Sequence, residues 1–490
     1  MNVGRKIGMA GGALAWLAAG CATGPDFRPP SAPESADWGA AATGAPTAEA
    51  RGPGGAAQRF DAAFEAPADW WTLFGSAALD AAVAEALEKS PTLEQSLARL
   101  RQAREAYNAQ AGSARYPAVD ASLGAARQKV NPAAMGMENV PAPDPFALYQ
   151  ASFSVSYAFD LFGQDRRTLE ALKAQVDRRE IEWEGARRTL AANVVLAAIR
   201  LAEIDQRIAA AAGIVAAREE QWEIAQKRRE AGGISARELE SAGLALEQAR
   251  AALPALENQQ ARLRRQLAVY LGREPAAAPT RIVALDELHL PTAVPASVPS
   301  EAARRRPDIR AAEAVWHQAC ANVGVATANL YPRFALTASL GSQEIAAGDL
   351  LASGNVWSIG GQLMQPIFRG GALRAQKRAA EAAYDEAAAA YRETVLRGLQ
   401  EVADALQALA ADARTLQARA AAADHARAAR EIAEGQVAAG GLSRAAVLEE
   451  RVREWQAIDE RSAAQAARHA DTAALFHALG GSAPAVDRGE

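Results

Sequence analysis

Apolar and polar residues alternate strictly from Tyr149 to Leu161, and this pattern predicts a β-strand. One set of alternate positions holds the apolar and aromatic residues Tyr149, Ala151, Phe153, Val155, Tyr157, Phe159 and Leu161. The set between them includes the polar residues Gln150, Ser152, Ser154, Ser156 and Asp160. Because successive side chains of a strand point to opposite faces, we expect the two sets on opposite faces of one sheet.

Three further segments alternate in the same way and bring the expected number of strands to four. They are VDASLGA from Val119, FALTASLG from Phe334 and VWSIGGQLMQPIF from Val356. A half-buried sheet of a soluble domain has this pattern. An outer-membrane barrel has it too, with apolar side chains facing lipid and small polar ones facing the lumen. Since such barrels have at least ~8 strands, a barrel would need strands from other copies of the chain, in a symmetric oligomer.

Two proline-free segments, residues 164–231 and 372–439, predict very long helices. Each has 68 residues and would extend about 100 Å as one continuous helix. Shorter helices are expected at 91–116 and 234–271, and end to end they could lie alongside the first long helix. That helix also contains an apolar series with heptad spacing, which indicates either a coiled-coil seam or an ordinary amphipathic helix. The series is Leu190, Val194, Ala197, Leu201, Ile204 and Ile208.

The two halves of the chain are similar to each other. AGGISARELESA at Ala231 has a close relative in AGGLSRAAVLEER at Ala439, and the same offset of 208 residues relates Leu271-Gly272 to Leu479-Gly480. Each half also has the same expected order of helix, two strands, long helix, glycine turn and helix. We therefore predict an internal two-fold repeat, with a first copy at 69–290, a second at 291–480 and a C-terminal tail at 481–490.

The N-terminus has the features of an export signal. Arg5 and Lys6 precede a short apolar segment, and small residues lead to Cys21. The ending LAAGC resembles a bacterial lipoprotein signal, which implies cleavage after Gly20, a covalent lipid on Cys21 and, with Ala22 next, sorting to the outer membrane. The alternative is an ordinary secretory signal with an incidental cysteine. Residues 21–68 are rich in Ala, Gly, Pro and Ser without periodicity, and predict an extended tether rather than a domain.

Composition argues against several function classes. The net charge of -5 and the absence of a dense Lys/Arg segment give no electrostatic basis for binding nucleic acid. None of the five histidines stands in a metal-binding spacing such as H-E-x-x-H, and the chain lacks a nucleophile elbow and a phosphate-binding glycine loop. We therefore expect no enzyme activity, no metal and no cofactor other than the lipid. The second cysteine, Cys320, is expected to be a small core residue.

Several motifs together resemble the outer-membrane factors of tripartite efflux systems, the TolC-like family, and in particular its lipoprotein branch similar to NodT and OprM. They include GCATGPDFRPP, WWTLFGSAALDAAVAEAL, FDLFGQDRR, RRRPDIRAAE, ANLYPRFALTASLG and QPIFRGG, in this order along the chain. The resemblance implies a mainly helical fold with membrane strands. Three copies would form one barrel of 12 strands and a long periplasmic coiled-coil tunnel with a gated tip.

The same resemblance implies roles for particular residues and partners. Gly232, Gly233, Gly440 and Gly441 would form the helix-helix turns at the tip, where a periplasmic adaptor protein docks. An acidic ring of the family falls on Glu449, with Glu450 beside it, as the periplasmic gate. The alternative is that these glutamates pair with Arg451 or Arg453 on a solvated helix face. Gln150, Ser152, Ser154, Ser156 and Asp160 would line the barrel lumen.

The function implied is a passive exit duct in the outer membrane of a Gram-negative bacterium. It would receive small molecules from an inner-membrane transporter of the RND type through the adaptor. A type I secretion channel is an alternative with the same fold. An envelope scaffold of coiled coils that conducts nothing is a second alternative, although it has no use for a lipid-facing strand.

Overall fold

The computed structural model describes residues 22–31, 45–61, 64–132, 136, 141, 143–295, 299–350 and 356–480. These residues form two compact units. The first unit contains the described residues up to 29, together with 99–179 and 312–391, and the second contains 30–98, 180–311 and the residues from 392 onward. The predicted signal peptide at 1–20, the lipidation site Cys21 and the tail at 481–490 lie outside the described residues.

Helices account for most of the described chain. None of those described is both long enough and apolar enough to cross a membrane. The helices of four residues or more in α-conformation are α1 (Ala77–Lys89), α2 (Pro91–Arg115), α3 (Gln164–Glu230), α4 (Ala236–Tyr270), α5 (Pro299–Arg305), α6 (Pro307–Ala328), α7 (Ala372–Ala438) and α8 (Arg444–Ala478).

The two long helices predicted from the proline-free segments are confirmed. Both α3 and α7 have 67 residues, and the helices that follow them, α4 and α8, have 35 residues each. Helices α3, α4 and α7 begin and end within two residues of the expected positions. The order of helix, two strands, long helix and shorter helix therefore occurs twice along the chain.

All four predicted strands are present and form one antiparallel sheet in the first unit. Its strand order is β2-β3-β5-β6, with β2 at Ala118–Gln128, β3 at Phe146–Phe159, β5 at Arg333–Glu344 and β6 at Val356–Met364. A second, much smaller sheet pairs β1 (Arg59–Asp61) in parallel with β4 (Ala293–Pro295) in the second unit.

The largest hydrophobic core lies in the second unit around the middle of α3. Trp70 stacks on Phe476 with the ring centroids 5.7 Å apart, and Phe74 is fully buried beside them. Five of the six residues of the predicted seam are buried, but Val195 and Ile199 on other sides of the helix are buried as well. The buried surface of α3 is therefore wider than the predicted seam, because segments distant in sequence cover the helix on several sides.

The expectation of an extended tether at 21–68 is wrong for residues 45–61, which fold onto the second unit. The fully buried Gln58 donates through Nε2 to the Pro291 carbonyl (3.1 Å) and to Thr472 Oγ1 (3.2 Å). Arg468 Nη2 donates to Thr47 Oγ1 (2.9 Å) and to the Ala56 carbonyl (2.8 Å). Composition does not reveal these contacts, because they depend on buried polar groups of helix α8.

Arg306, in the RRRPDIRAAE motif, joins α6, α7 and the end of α8. Its guanidinium donates to both carboxylate oxygens of Asp308 (3.0 and 2.8 Å) and to Glu401 Oε2 (2.5 Å). It also donates to the Ala478 carbonyl at 3.0 Å. The planar guanidinium of arginine can donate to several acceptors at once, which explains an arginine at this buried position.

A half-buried carboxyl pair, Asp412 and Asp471, lies beside Arg468 in the second unit. Burial and the neighbouring Asp471 carboxyl raise the pKa of Asp412 to about 7, against the opposing charge of Arg468. The neighbouring His469 is fully buried, and burial lowers its pKa to about 4. Asp412 therefore changes its charge near neutral pH, whereas His469 remains neutral there.

We predict that Asp412→Asn makes the protein less sensitive to alkaline pH. An acid whose pKa is raised by folding contributes stability below its unfolded pKa, 3.8, and loses it as the pH rises through about 7. The melting temperature of the variant relative to the native protein should therefore increase from pH 5 to pH 8. Because His469 is present in both proteins, its own titration cancels in the difference.

The matched control is Asp404→Asn, which changes an exposed carboxylate on the same helix. The difference in melting temperature between Asp404→Asn and the native protein should stay constant from pH 5 to pH 8. Parallel pH profiles of the melting temperature for the native protein and Asp412→Asn would contradict the assignment of the shared proton to this pair.

Candidate functional site

The serines in the middle of the four-stranded sheet share one face. Strand register places Ser152 opposite Ser122 and Gly341, and Ser154 opposite Asp120 and Ser339. Hydrogen bonds join Ser122 Oγ to Ser152 Oγ and Ser339 Oγ to Ser358 Oγ, both at 2.8 Å. Gln150 and Ser156 occupy the same face by alternation. Four of the five residues expected to line a lumen thus lie together.

Asp160 does not belong to this face, contrary to the sequence-based expectation. It follows the last residue of β3, and its Oδ2 accepts a hydrogen bond from the backbone N–H of Arg166 (3.0 Å) in the first turn of α3. An acidic group near a helix N-terminus satisfies a free N–H and interacts favourably with the helix dipole. The alternation of the sequence simply continues past the point where pairing ends.

The opposite face of the sheet is apolar and uncovered by the described residues of its own chain. Large side chains on it are strongly exposed, including Leu123 at 78%, Trp357 at 72% and Phe153 at 65%. Their register is consistent, because Val119, Val155, Ala338 and Ile359 stand opposite one another across the four strands. A continuous apolar face of this size marks a surface that contacts lipid or another protein.

The sheet is also open at both sides. Among the described residues, β2 pairs only with β3, and β6 pairs only with β5. Each outer strand therefore presents a row of backbone N–H and C=O groups without a partner strand. Such edges favour pairing with another chain.

The two glycine turns have nearly identical backbone geometry. In the first, Gly232 has a φ of +72°, Gly233 N–H donates to the Arg228 carbonyl (2.7 Å) and Gly232 N–H donates to the Arg229 carbonyl (3.0 Å). In the second, Gly440 has a φ of +76°, with the corresponding bonds from Gly441 (2.8 Å) and Gly440 (3.0 Å). This arrangement is the Schellman motif, which requires a left-handed residue at its first glycine.

A serine starts the next helix after each turn, but the two caps differ. Ser235 Oγ accepts from Glu238 N–H (3.2 Å), while Glu238 Oε2 accepts from Ser235 N–H (2.8 Å), which is a complete capping box. Ser443 Oγ accepts from Ala446 N–H at 3.4 Å, and alanine returns no bond. The second turn therefore has the weaker cap.

The two candidate gate glutamates have different surroundings. Glu449 Oε1 accepts from Arg218 Nη1 (2.7 Å) and Gln221 Nε2 (3.0 Å) on α3, and its side chain is about half exposed. Glu450 Oε1 accepts from Arg453 Nη1 (2.6 Å), as the alternative interpretation expected. Glu449 pairs with neither Arg451 nor Arg453; Arg451 instead donates to Glu434.

Sequence reasoning missed a second ionic contact close to the second turn. Arg444 on α8 forms a bidentate pair with Glu220 on α3, through Nε to Oε1 (2.6 Å) and Nη2 to Oε2 (3.0 Å). A groove of about 610 Å³ lies beside it, lined by residues that include Lys227, Arg228 and Ser443. The chain has many charged helix faces, and no spacing signal indicates which charges of α3 meet those of α8.

Three remaining sequence predictions concern the two cysteines and metal binding. Cys21 lies outside the described residues. Among the residues described, no group of histidine, cysteine and acidic side chains is arranged to hold a metal ion. Cys320 is buried as expected, and burial raises the pKa of its thiol.

Known proteins resemble this chain over most of its length. The family model for outer membrane efflux proteins matches residues 82–273 and 298–481. The chain is 30% identical over 419 residues to the pyoverdine export outer membrane protein OpmQ of Pseudomonas aeruginosa, covering 84% of this chain and 87% of the relative. It is 31% identical over 390 residues to the outer membrane protein OprJ of the same species, covering 79% and 78%.

A solved structure has the same fold over nearly the whole chain. The outer-membrane channel OprN superposes with a TM-score of 0.81 at 28% identity, covering 94% of this chain and 99% of the other.

We predict that Gly440→Ala loosens the second turn, whereas Gly441→Ala does not. A Cβ at Gly440 has open space around it, but a left-handed φ costs an L-residue about 1–2 kcal/mol. Gly441 lacks a positive φ, and a Cβ there would meet Gln436 O at an ordinary 3.7 Å. Hydrogen exchange of the backbone amides at positions 440 and 441 should therefore accelerate roughly 5- to 30-fold in Gly440→Ala only. Equal rates in the two variants would exclude backbone strain as the reason for this glycine.

Proposed function

This chain belongs to the family of outer membrane efflux proteins, and we propose that three copies of it form the exit duct of a tripartite efflux system. It is an outer-membrane component of efflux, as its relatives are. The observation that carries the proposal is the four-stranded sheet, which has an exposed apolar face, a polar face of serines and two open edges.

The trimer follows from counting strands and edges. Four strands do not close a barrel, and membrane barrels have at least ~8 strands. In a trimer, β2 of one copy would pair with β6 of the next, so that twelve strands close the sheet and remove every edge. The apolar face would then meet lipid, and Gln150, Ser152, Ser154 and Ser156 would face a wide polar lumen. Such a lining suits a general conduit better than a specific binding pocket.

We infer that the two halves of the chain, 69–290 and 291–480, are copies of one structural unit. Support comes from the equal lengths of α3 and α7 and of α4 and α8. Matching Schellman turns at Gly232 and Gly440 add to it. In a trimer, six similar units would build the coiled-coil tunnel.

The glycine turns are the proposed docking site for a periplasmic adaptor, which would connect the duct to an inner-membrane transporter of the RND type. Gly232, Gly233, Gly440 and Gly441 provide exposed backbone, and the groove beside Arg444 offers both charged and apolar contacts. The cargo is proposed to be small molecules. Relatives are named for the export of pyoverdine and for the efflux of toluene and antibiotics.

Glu449 and Glu450 are the proposed acidic lining of the gate, and Cys21 is the proposed lipidation site. Glu449 suits the gate because its side chain remains about half exposed despite its contacts with Arg218 and Gln221. Three such carboxylates around an axis would favour cations over anions.

The duct proposal is tested by subunit count and by the environment of two neighbouring residues. Electron microscopy of detergent-solubilised protein should show threefold particles, and each sheet should lie in the micelle. In a Cys320→Ala background, Ser154→Cys should react with a water-soluble maleimide, whereas Val155→Cys should react only with a membrane-partitioning reagent. Residues 154 and 155 are adjacent and face opposite sides of β3. Monomers, or equal labelling of the two cysteines by the soluble reagent, would contradict a barrel and favour a scaffold.

We predict that Glu449→Ala weakens cation preference in planar-bilayer recordings. The change removes the carboxylate and leaves the Arg218 guanidinium without this partner, so both effects make the site more positive. Glu460→Ala is the control, because Glu460 lies on the same helix and pairs with Arg419. Unchanged ion selectivity and conductance in Glu449→Ala would remove this residue from the gate.

A further inference from the structure

Residues 22–29, which we call the strap, are bound to the first unit rather than free. Thr23 donates two hydrogen bonds to the Phe162 carbonyl, from its backbone N–H (3.1 Å) and from its hydroxyl (3.0 Å). Phe162 lies between β3 and α3, and its ring stacks on Tyr331 with the centroids 4.8 Å apart. The strap therefore begins at the junction between strand β3 and helix α3.

Arg167 holds the next part of the strap. Its side chain is only 6% exposed. Nε donates to the Thr23 carbonyl (3.2 Å), and Nη2 donates to the Gly24 carbonyl (3.4 Å) and to Asp26 Oδ1 (2.6 Å). Nη1 donates to Glu170 Oε2 (2.7 Å), which orients the guanidinium from its own helix. One buried arginine thus donates to three acceptors of the strap, on Thr23, Gly24 and Asp26.

The contact surfaces are shaped for close approach. Gly24 has a φ of +94°, and a Cβ on it would lie 2.5 Å from the Gly324 Cα. A Cβ on Gly324 would in turn lie 2.7 Å from Arg167 Cγ. Further along, Phe27 stacks on His317 (4.5 Å between centroids) and meets Trp316 edge-on (5.5 Å). The strap occupies a site that admits little beyond glycine at its narrowest point.

The strap leads directly to the end of the sheet. Ala22 is the first described residue, and a Cβ on Gly163 would lie 2.7 Å from its Cα. Close in sequence, Phe159 ends β3 and its ring lies 5.4 Å from that of Phe334. Leu363 pairs with Phe334 in the register and is 66% exposed. The apolar face is therefore exposed at this end of the sheet.

We propose that Arg167 is a positioning residue for the lipid anchor, and that the acyl chains on Cys21 pack on the apolar end of the sheet formed by Phe159, Phe334 and Leu363. This inference rests on the proposed lipidation of Cys21. The peptide bond to Ala22 allows Cys21 only ~3.8 Å between Cα atoms, so a docked strap leaves the anchor little freedom.

Release of the strap would change the reach of the anchor. The sheet would then lose the high local concentration of its own acyl chains that a short connection provides. Docking makes the anchor and the sheet enter the same patch of membrane.

The experiment maps the acyl chains by photocrosslinking. Cells are grown with a palmitate analogue that carries a diazirine and an alkyne, the outer-membrane protein is irradiated, and crosslinked peptides are identified by mass spectrometry. In the native protein, crosslinks within the chain should concentrate on peptides containing Phe159, Phe334 or Leu363. Arg167→Ala and Gly24→Ala should reduce them at least ~5-fold at equal total acyl labelling. Gly24→Ala lies in the strap itself, so it tests docking even where Arg167→Ala impairs folding.

Lys173→Ala is the matched control, because Lys173 lies on the same helix and pairs with Asp177. It should leave the crosslinks unchanged. A native-like pattern in both Arg167→Ala and Gly24→Ala would overturn the proposal. Acyl labelling that persists in Cys21→Ser would instead overturn lipidation and, with it, the placement of the lipid. The crosslinking and the acyl labelling do not depend on whether electron microscopy shows threefold particles. A failure of this inference can therefore be told apart from a failure of the duct proposal.

Discussion

The structure depends above all on an apolar sheet face that its own chain does not cover. Leu123, Phe153, Trp357 and Ile359 expose most of their side chains along one side of four strands. In water this arrangement would be unfavourable by roughly 25 cal/mol for each Å² of apolar surface. The opposite face carries paired serines instead of a second apolar layer. A sheet with one apolar face, one polar face and two open edges suits the proposed barrel. Membrane lipid would cover the apolar face, and strands of other copies would pair with the edges.

The helices meet a different constraint, which is how to reverse a very long chain segment without leaving backbone groups unsatisfied. Gly232 and Gly440 solve it identically, since each takes the left-handed conformation that lets the next N–H groups bond back to the ending helix. Serine then caps the helix that follows. The second turn lacks the reciprocal carboxylate of the capping box, and in its place the Arg444–Glu220 pair ties the start of α8 to α3. Local and tertiary interactions thus compensate for each other at this turn.

Arginine is the residue through which distant segments are joined. Arg306 joins three helices, Arg468 holds residues 45–61, and Arg167 holds the strap. Each is buried, and each donates to backbone carbonyls as well as to side chains. A guanidinium is suited to this task because its donors are arranged in a plane and it remains charged at all relevant pH values. The N-terminal segments have little apolar surface of their own, so hydrogen bonds to these arginines take the place of a hydrophobic core.

The sequence by itself determined the secondary structure, the order of elements and the family. Strand alternation, proline-free helices and glycine turns are local signals, and they depend on steric limits of the backbone and on side-chain direction. The tertiary structure alone decided that Asp160 leaves the sheet for a helix N-terminus, and that Glu449 meets Arg218 of another helix. It also decided that residues 45–61 fold onto helix α8. These outcomes depend on which charges and carbonyl groups of distant segments are brought within hydrogen-bond distance, and no periodicity along the chain encodes that register.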